Sequence, residues 1–273
     1  MLGKALRMQR FTHSESKRIC LIPLDHGITM GPIAGLRDYI KIIGQILNGG
    51  ADAIIVHKGL LKTVLQYKEL LKGRYIMHLS ASTIMGPDPS AKVLVGSVEE
   101  AVKLGADGVS IHVNLGCKIE NQMLVDFGKV SAECQEWGMP LLAMVYTQSH
   151  STQDDDKIFH AARIAEELGA DMAKVDCPNT SEGISKLVQS VNIPVLVAGG
   201  AKVDEPEGLL KMIDGAMRQG IKGVAVGRNV FQCAQPRLMT ELISKMVHNE
   251  IMLEEALADL KRMREVALCT EMK

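Results

Sequence analysis

The chain has 273 residues, 47% hydrophobic and 23% charged but only 3% aromatic, the make-up of a globular protein with an aliphatic core. Its 31 basic and 32 acidic side chains leave a formal net charge of -1, which excludes a global field drawing in nucleic acid or an anionic membrane surface. Six scattered cysteines, no apolar run of about 18 residues, and a start, MLGKALRMQRF, without a signal peptide's apolar region point to a reducing, cytoplasmic setting.

The predicted elements alternate along the chain. Strand-like runs are RICLIPLD (18–25), GGADAIIVH (49–57), YIMHLSA (75–81), LGADGVSIHV (104–113), PLLAMVY (140–146), LGADMAKV (168–175), IPVLVAGG (193–200) and QGIKGVAVG (219–227). Four of these open on one repeated phrase, in which an amphipathic helical stretch ends in Gly and a short apolar strand follows. Gly just past a helix takes the left-handed conformation that closes it. The repeats are spaced by 55, 64 and 51 residues, each about two βα units. AECQEWG and the pattern around Glu205 to Leu210 supply helices in between. Continuous apolar runs mean strands covered on both faces, hence a parallel sheet.

Eight such units predict an α/β fold, a (β/α)8 barrel forming one domain over 1–273; no linker-like or low-complexity stretch divides it. A doubly wound open sheet is the alternative, disfavoured because no strand runs into a GxGxxG turn. A last amphipathic helix, NEIMLEEALADLKRMREV (249–266), is expected on the barrel exterior or against a neighbouring subunit. QDDDK (153–157) reads as a solvated cap of the helix that follows, and the 16 methionines as core filler.

In such a barrel function collects at the carboxyl ends of the strands. Those ends carry Asp25 and His26, then His57 and Lys58, Ser80 and Ser82, His112 and Asn114, Tyr146, Lys174, the run AGGAK (198–202) and the run VGRN (226–229). Gly199, Gly200 and Gly227 let backbone approach a ligand, and Arg228 adds a cation. Two Gly-rich ends in units seven and eight read as a phosphate cradle, with tight turns as the plainer alternative. Lys202, His26 and Ser80 are counted with them as substrate-binding candidates. His26, His57, His78 and His112 read as hydrogen-bonding groups near the site; with no HxH or HExxH spacing, no metal is expected. Cys177 beside the site reads as a bystander thiol.

Lys174 is the anomaly: an amine inside GADMAKVDCP (169–178), surrounded by small and apolar residues and with no acidic residue placed to face it inside the strand. A snorkelling or ion-paired lysine is the ordinary explanation. The alternative is chemical. Burial lowers a lysine pKa, and a neutral amine attacks a ketone to give an iminium, an electron sink for C–C bond making or breaking. Tyr146, on the neighbouring strand, and Asp25, across the mouth, are the proton shuttles such a cycle needs.

VGRNVFQ, LVAGGAK, LDHGITMGPI, HLSAST and SIHVNLG resemble the barrel aldolases related to archaeal-type class I fructose-bisphosphate aldolase. The resemblance extends from about Leu2 to the last helix. It is strongest to the 2-amino-3,7-dideoxy-D-threo-hept-6-ulosonate synthase branch and to bacterial enzymes that join a triose phosphate to aspartate semialdehyde. It implies a Schiff base on Lys174, acid/base roles for Tyr146 and Asp25, and phosphate contacts at Gly199, Gly200, Gly227 and Arg228. It also implies no cofactor beyond the covalent lysine, phosphorylated keto-sugar and aldehyde substrates, and a homo-oligomer built as a pentamer-based ring or decamer.

Two stretches depart from the pattern. Relatives read Tyr-Pro-Arg-Gly where this chain has YTQS (146–149), and Thr or Ser after the lysine where it has KVDCPN (174–179). The missing Arg removes a contact for a second phosphate or a carboxylate. Besides fructose-bisphosphate aldolase activity, the residues leave open a thiolase-like acyl transferase, against which Tyr146 argues, and a phosphosugar-binding barrel without turnover.

Overall fold

Eight parallel strands close on themselves in the computed structural model, which describes residues 1–147 and 154–271. In chain order the elements are α1 (Leu2–Arg10), β1 (Ile19–Pro23), α2 (His26–Met30), α3 (Tyr39–Asn48), β2 (Ala53–Val56), α4 (Lys58–Val64), β3 (Tyr75–His78), β4 (Ser80–Ala81), β5 (Val93–Leu94), α5 (Val98–Lys103), β6 (Gly108–Leu115) and α6 (Glu120–Trp137). There follow β7 (Leu141–Thr147), α7 (Asp155–Glu167), β8 (Met172–Val175), α8 (Ser181–Ser190), β9 (Val195–Ala198), α9 (Pro206–Arg218), β10 (Gly223–Ala225), α10 (Arg228–Phe231), α11 (Pro236–Val247) and α12 (Leu253–Glu271). The barrel order is β1-β10-β9-β8-β7-β6-β3-β2, so the expected (β/α)8 barrel is the fold and the open sheet is not.

The eight expected strands are the eight barrel strands, with shorter or shifted ends. One run was misread: YIMHLSA leaves the barrel after His78, and Ser80–Ala81 instead pairs antiparallel with Val93–Leu94. Residues 249–266 were expected to be helical; α12 begins at Leu253, runs to Glu271, and lies on the barrel exterior against α9 and α11 with Ala256 and Leu260 buried. Asp154 stands at the N-cap of α7, but its carboxylate pairs with Lys157 at 3.3 Å rather than capping the helix; Gln153 of the same stretch lies outside the described residues.

The repeated phrase has two physical jobs. Its glycines, Gly50, Gly105, Gly169 and Gly220, all have φ between 71° and 96°, the left-handed turn that releases the chain from helix to strand. Its aspartates fasten neighbouring strands at the barrel base. Asp52 accepts from the Cys20 N–H (2.6 Å), Asp107 from Tyr75 (2.9 Å) and Asp171 from Leu141 (2.8 Å). Each carboxylate also meets a basic side chain: His248 at 3.1 Å, Arg10 at 2.7 Å and Lys4 at 2.9 Å, respectively. Two of those cations come from α1, which crosses the base, and Phe11 just beyond it packs into the barrel interior.

Strand alternation sorts the side chains into two cores. Ile19, Leu21, Ile55, Ile76, Leu142, Met172 and Leu196 point inward and fill the lower barrel; Cys20, Ile22, Ile54, Ala173 and Val175 point outward under the helices. Lys174 has the parity of Met172, and Tyr146 that of Met144. Both therefore project into the barrel, above its apolar floor.

Candidate active site

A cavity of about 410 Å³ opens at the carboxyl ends of the strands, within the range of small-molecule sites. Of the ten candidates read from the sequence, Lys174, Tyr146, Asp25, His26, Ser80, Gly199, Gly200, Gly227 and Arg228 all line it. Lys202 does not. The chain turns at Gly200 (φ 67°), and Lys202 donates to the Val203 carbonyl at 2.8 Å beside a separate hollow of about 190 Å³. The expectation that Lys202 binds substrate is corrected on that geometry.

Lys174 is 8% exposed. Its Nζ lies 5.8 Å from the centroid of the Tyr146 ring and 4.0 Å from the Met144 sulfur. Burial alone would lower its pKa, as the sequence suggested, but Tyr146, Asp25 and Asp176 outweigh burial and hold the amine above its ordinary value. The expected depressed lysine is thus corrected: at rest this is an ammonium. Of the acids responsible, Asp176 lies two residues past the lysine in the same run, while Asp25 follows β1 and is reached only across the barrel.

Asp25 shows the opposite balance. Burial would raise its pKa, yet His78, His26, Lys174 and His57 bring the carboxyl well below the usual range. One oxygen is 3.3 Å from His26 Nδ1 and the other 3.7 Å from His78 Nε2. Burial pushes Tyr146 upward, Lys174 opposing, so the phenol keeps its proton. One site therefore holds a fixed anion, an ammonium and a neutral proton donor.

Four histidines complete the wall. His78 Nδ1 is hydrogen-bonded to Ser110 Oγ (2.8 Å), and His112 Nε2 to Asn114 Oδ1 (2.8 Å). Burial drives His78 down to about 3 and His112 down to about 4, and lowers His26 and His57, leaving neutral rings at pH 7. His78 and His112 are hydrogen-bonding groups in the wall, while His26 Nδ1 and His57 Nε2 are buried without a hydrogen-bond partner. Among the described residues no set of three His, Cys, Asp or Glu has a geometry for holding a metal. Ser80 Oγ accepts from the His112 N–H at 3.0 Å. Burial pushes the Cys177 thiol up to about 11, so it is a poor nucleophile.

The two glycine loops are tied together by Asn229, a buried residue that the sequence suggested only as a helix start. Its Nδ2 donates to the carbonyls of Gly199 (2.9 Å) and Ala201 (2.8 Å), and its Oδ1 accepts from Val203 N–H (2.9 Å). Arg228 Nη2 donates to the Gly200 carbonyl at 3.1 Å, while its Nε is buried without a hydrogen-bond partner. Gly199 spends its N–H on Ala225, so its contribution is compactness against Val226 rather than a donor. The N–H groups of Gly200, Gly227 and Arg228 find no acceptor among the described residues. Such convergent donors suit an anion.

Lys92, Asp176, His57, His78 and His112 also line the cavity. The sequence reading did not count Lys92 or Asp176 as site residues, because Lys92 reaches the mouth from the β4–β5 hairpin and not from a strand end. Gln148 and Ser149 of the altered YTQS stretch lie outside the described residues.

Comparison with known proteins agrees with this geometry. The model of the DeoC/LacD aldolase family matches residues 19–233. The chain is 38% identical over 250 residues to the 2-amino-4,5-dihydroxy-6-oxo-7-(phosphonooxy)heptanoate synthase of Streptomyces griseus, covering 90% of this chain and 91% of that protein. It is 40% identical over 257 residues to the 2-amino-3,7-dideoxy-D-threo-hept-6-ulosonate synthase 1 of Archaeoglobus fulgidus, covering 94% and 95%. A solved archaeal fructose-1,6-bisphosphate aldolase, whose catalytic Lys is covalently bound to the carbinolamine intermediate of its substrate, superposes with a TM-score of 0.80 at 25% identity, covering 89% of this chain and 99% of that one.

Proposed function

The chain belongs to the DeoC/LacD aldolase family, and on that premise we propose that it is a class I aldolase making or breaking a C–C bond of a phosphorylated keto sugar through a Schiff base on Lys174. The donor is a triose or keto-sugar phosphate and the acceptor an aldehyde of the aspartate semialdehyde type. One observation carries the reading: a buried amine at the end of β8 shares its cavity with the anion-seeking loops after β9 and β10.

In this reading the donor phosphate rests on Arg228 and the amides of Gly200 and Gly227, which sets the ketone beside Lys174. The ammonium sheds its proton, and Nζ attacks the carbonyl carbon to give a carbinolamine; loss of water gives the iminium. A proton leaves the adjacent carbon, and the enamine formed adds to the acceptor aldehyde. Tyr146, neutral because it is buried, donates to the oxygen that becomes an alkoxide. Asp25, held ionised, is a weak base but a strong counter-charge for the iminium. Water then frees the product and returns the amine.

The lysine supplies the electron sink, so the reaction proposed runs without a cofactor. The rest of the proposal is one cytoplasmic domain, read from the scattered cysteines and the lack of a linker-like stretch, assembled as a homo-oligomer on the resemblance to barrel aldolases. The test is to incubate the protein with dihydroxyacetone phosphate, reduce with borohydride and map the adduct by mass spectrometry. A stable mass on Lys174 supports the reading; label on another lysine sinks the site assignment, and no label with any keto phosphate favours a mere binder.

A further inference from the structure

Lys92 is a half-buried cation at the cavity edge with no carboxylate partner among the described residues. Its Nζ donates to Ser82 Oγ at 2.6 Å, and that hydroxyl donates onward to the Pro89 carbonyl at 2.6 Å. The backbone beside it is anchored: Asn114 Nδ2 donates to the Ser90 carbonyl at 2.7 Å, and Asn114 is itself held by His112. A long, flexible amine has thus been given a fixed seat over the cavity without a counter-ion. Burial lowers its pKa, with Asp25 opposing, so an arriving anion would strengthen the charged form.

Its position across the barrel is specific. In the closed strand order, β3 stands opposite β9 and β6 opposite β10. The β4–β5 hairpin that delivers Lys92 follows β3 and leans on β6. Lys92 therefore faces the glycine loops and Arg228 from the far side of one mouth, with Lys174 and Tyr146 on the intervening strands β8 and β7.

We propose that Lys92 binds the carboxylate of the acceptor aldehyde and sets the enzyme's preference for an anionic acceptor. This rests on the aldolase reading above and extends it to the second substrate. With the donor phosphate at Arg228 and the reacting carbon at Lys174, the acceptor's remote end falls at the opposite pole. A carboxylate fits that pole better than a phosphate does. Lys92 offers one ammonium, its Ser82 neighbour having already spent its hydroxyl on the Pro89 carbonyl, whereas the loops across the barrel add peptide N–H groups, which a phosphate's three oxygens demand. Lys92 also supplies the contact that disappeared with the Arg missing after Tyr146.

The experiment compares the full-length wild type, Lys92→Met and Lys92→Arg with dihydroxyacetone phosphate as donor and three acceptors: aspartate semialdehyde, uncharged propionaldehyde and glyceraldehyde 3-phosphate. Losing one charge-assisted contact raises KM for aspartate semialdehyde about 10- to 100-fold in Lys92→Met, with little change in kcat. The preference for aspartate semialdehyde over propionaldehyde falls by a similar factor, and Lys92→Arg recovers most of it. Borohydride still traps the donor on Lys174 in Lys92→Met, which reports an intact fold and donor site. Equal losses for the charged and uncharged aldehydes would overturn the assignment, as would a larger loss for glyceraldehyde 3-phosphate than for aspartate semialdehyde. Failure of the wild type to form the borohydride adduct is a different result: it removes the aldolase reading itself.

Discussion

Lys174 Nζ lies 5.8 Å from the centre of the Tyr146 ring, the two residues projecting into the barrel from adjacent strands β8 and β7. A side-chain hydrogen bond joins the amine to the phenol, and substitution separates their two roles. Lys174→Met abolishes both turnover and borohydride trapping. Tyr146→Phe still forms the trapped adduct but loses about 10²- to 10⁴-fold in kcat, the range of a missing general acid. Single-turnover trapping beside steady-state kinetics reads both.

The resting ammonium predicts a pH profile. Lys174 is held above its ordinary pKa by Tyr146, Asp25 and Asp176 against burial, and only the deprotonated amine attacks. Adduct formation therefore accelerates as pH rises through the neutral and alkaline range. Removing one of the acids weakens the field, so Asp176→Asn shifts the rising limb to lower pH. Rates of reductive trapping across a pH series check the direction; an unshifted limb would contradict it.

Asn229 predicts an effect on substrate affinity without any contact to substrate. Asn229→Ala removes three hydrogen bonds from the loop after β9 and leaves their partners unmet, a cost of about 1–3 kcal/mol. Catalytic efficiency falls more with a phosphorylated donor than with dihydroxyacetone, because it is the phosphate loop that loosens. Equal losses for both donors would point to general instability instead.

Two glycines differ in what they tolerate. At Gly223 a Cβ would collide with the Ile19 carbonyl in the seam between β10 and β1, so Gly223→Ala gives little soluble protein. At Gly200 a Cβ meets nothing within 4 Å, and the cost is the left-handed φ alone, about 1 kcal/mol. Gly200→Ala folds, and its defect shows as a raised KM for the phosphorylated donor. Melting temperature and KM measured together separate the two.

Acid sensitivity follows from the buried imidazoles. The folded pKa values of His78 and His112, about 3 and about 4, lie below the unfolded 6.5. Above pH 6.5 both states hold these rings neutral. Below it the unfolded chain takes up protons that the folded chain refuses, so stability falls as pH drops from 6.5 towards the folded values. His112→Asn flattens that slope by up to one proton in chemical denaturation at stepped pH; an identical slope would remove His112 from the account.

Much of this was legible in one dimension. Periodicity and the repeated Gly-Ala-Asp phrase gave the eight strands, because burial on both faces and helix termination are local demands. Lys174 stood out because it is a charged side chain in a strand of otherwise apolar residues covered on both faces. The rest depended on distance across the barrel. Asp25, just past β1, raises the Lys174 pKa from across the barrel, where no window around the lysine contains it, and Lys92 enters from a hairpin whose strands are only two residues long. Lys202 was misplaced for a related reason: its spacing after strand seven was right, but the turn at Gly200 and the grip of Asn229 send it outward.

The Asp52, Asp107 and Asp171 fastenings lie at the end of the barrel remote from Lys174. Stability and selectivity are thereby lodged in separate parts of the sequence. The mouth can exchange an arginine for a lysine on another loop, or accept a new aldehyde, without loosening the closure that keeps eight strands in register. A catalogue of altered specificities should accordingly map to one rim, and a catalogue of folding defects to the other.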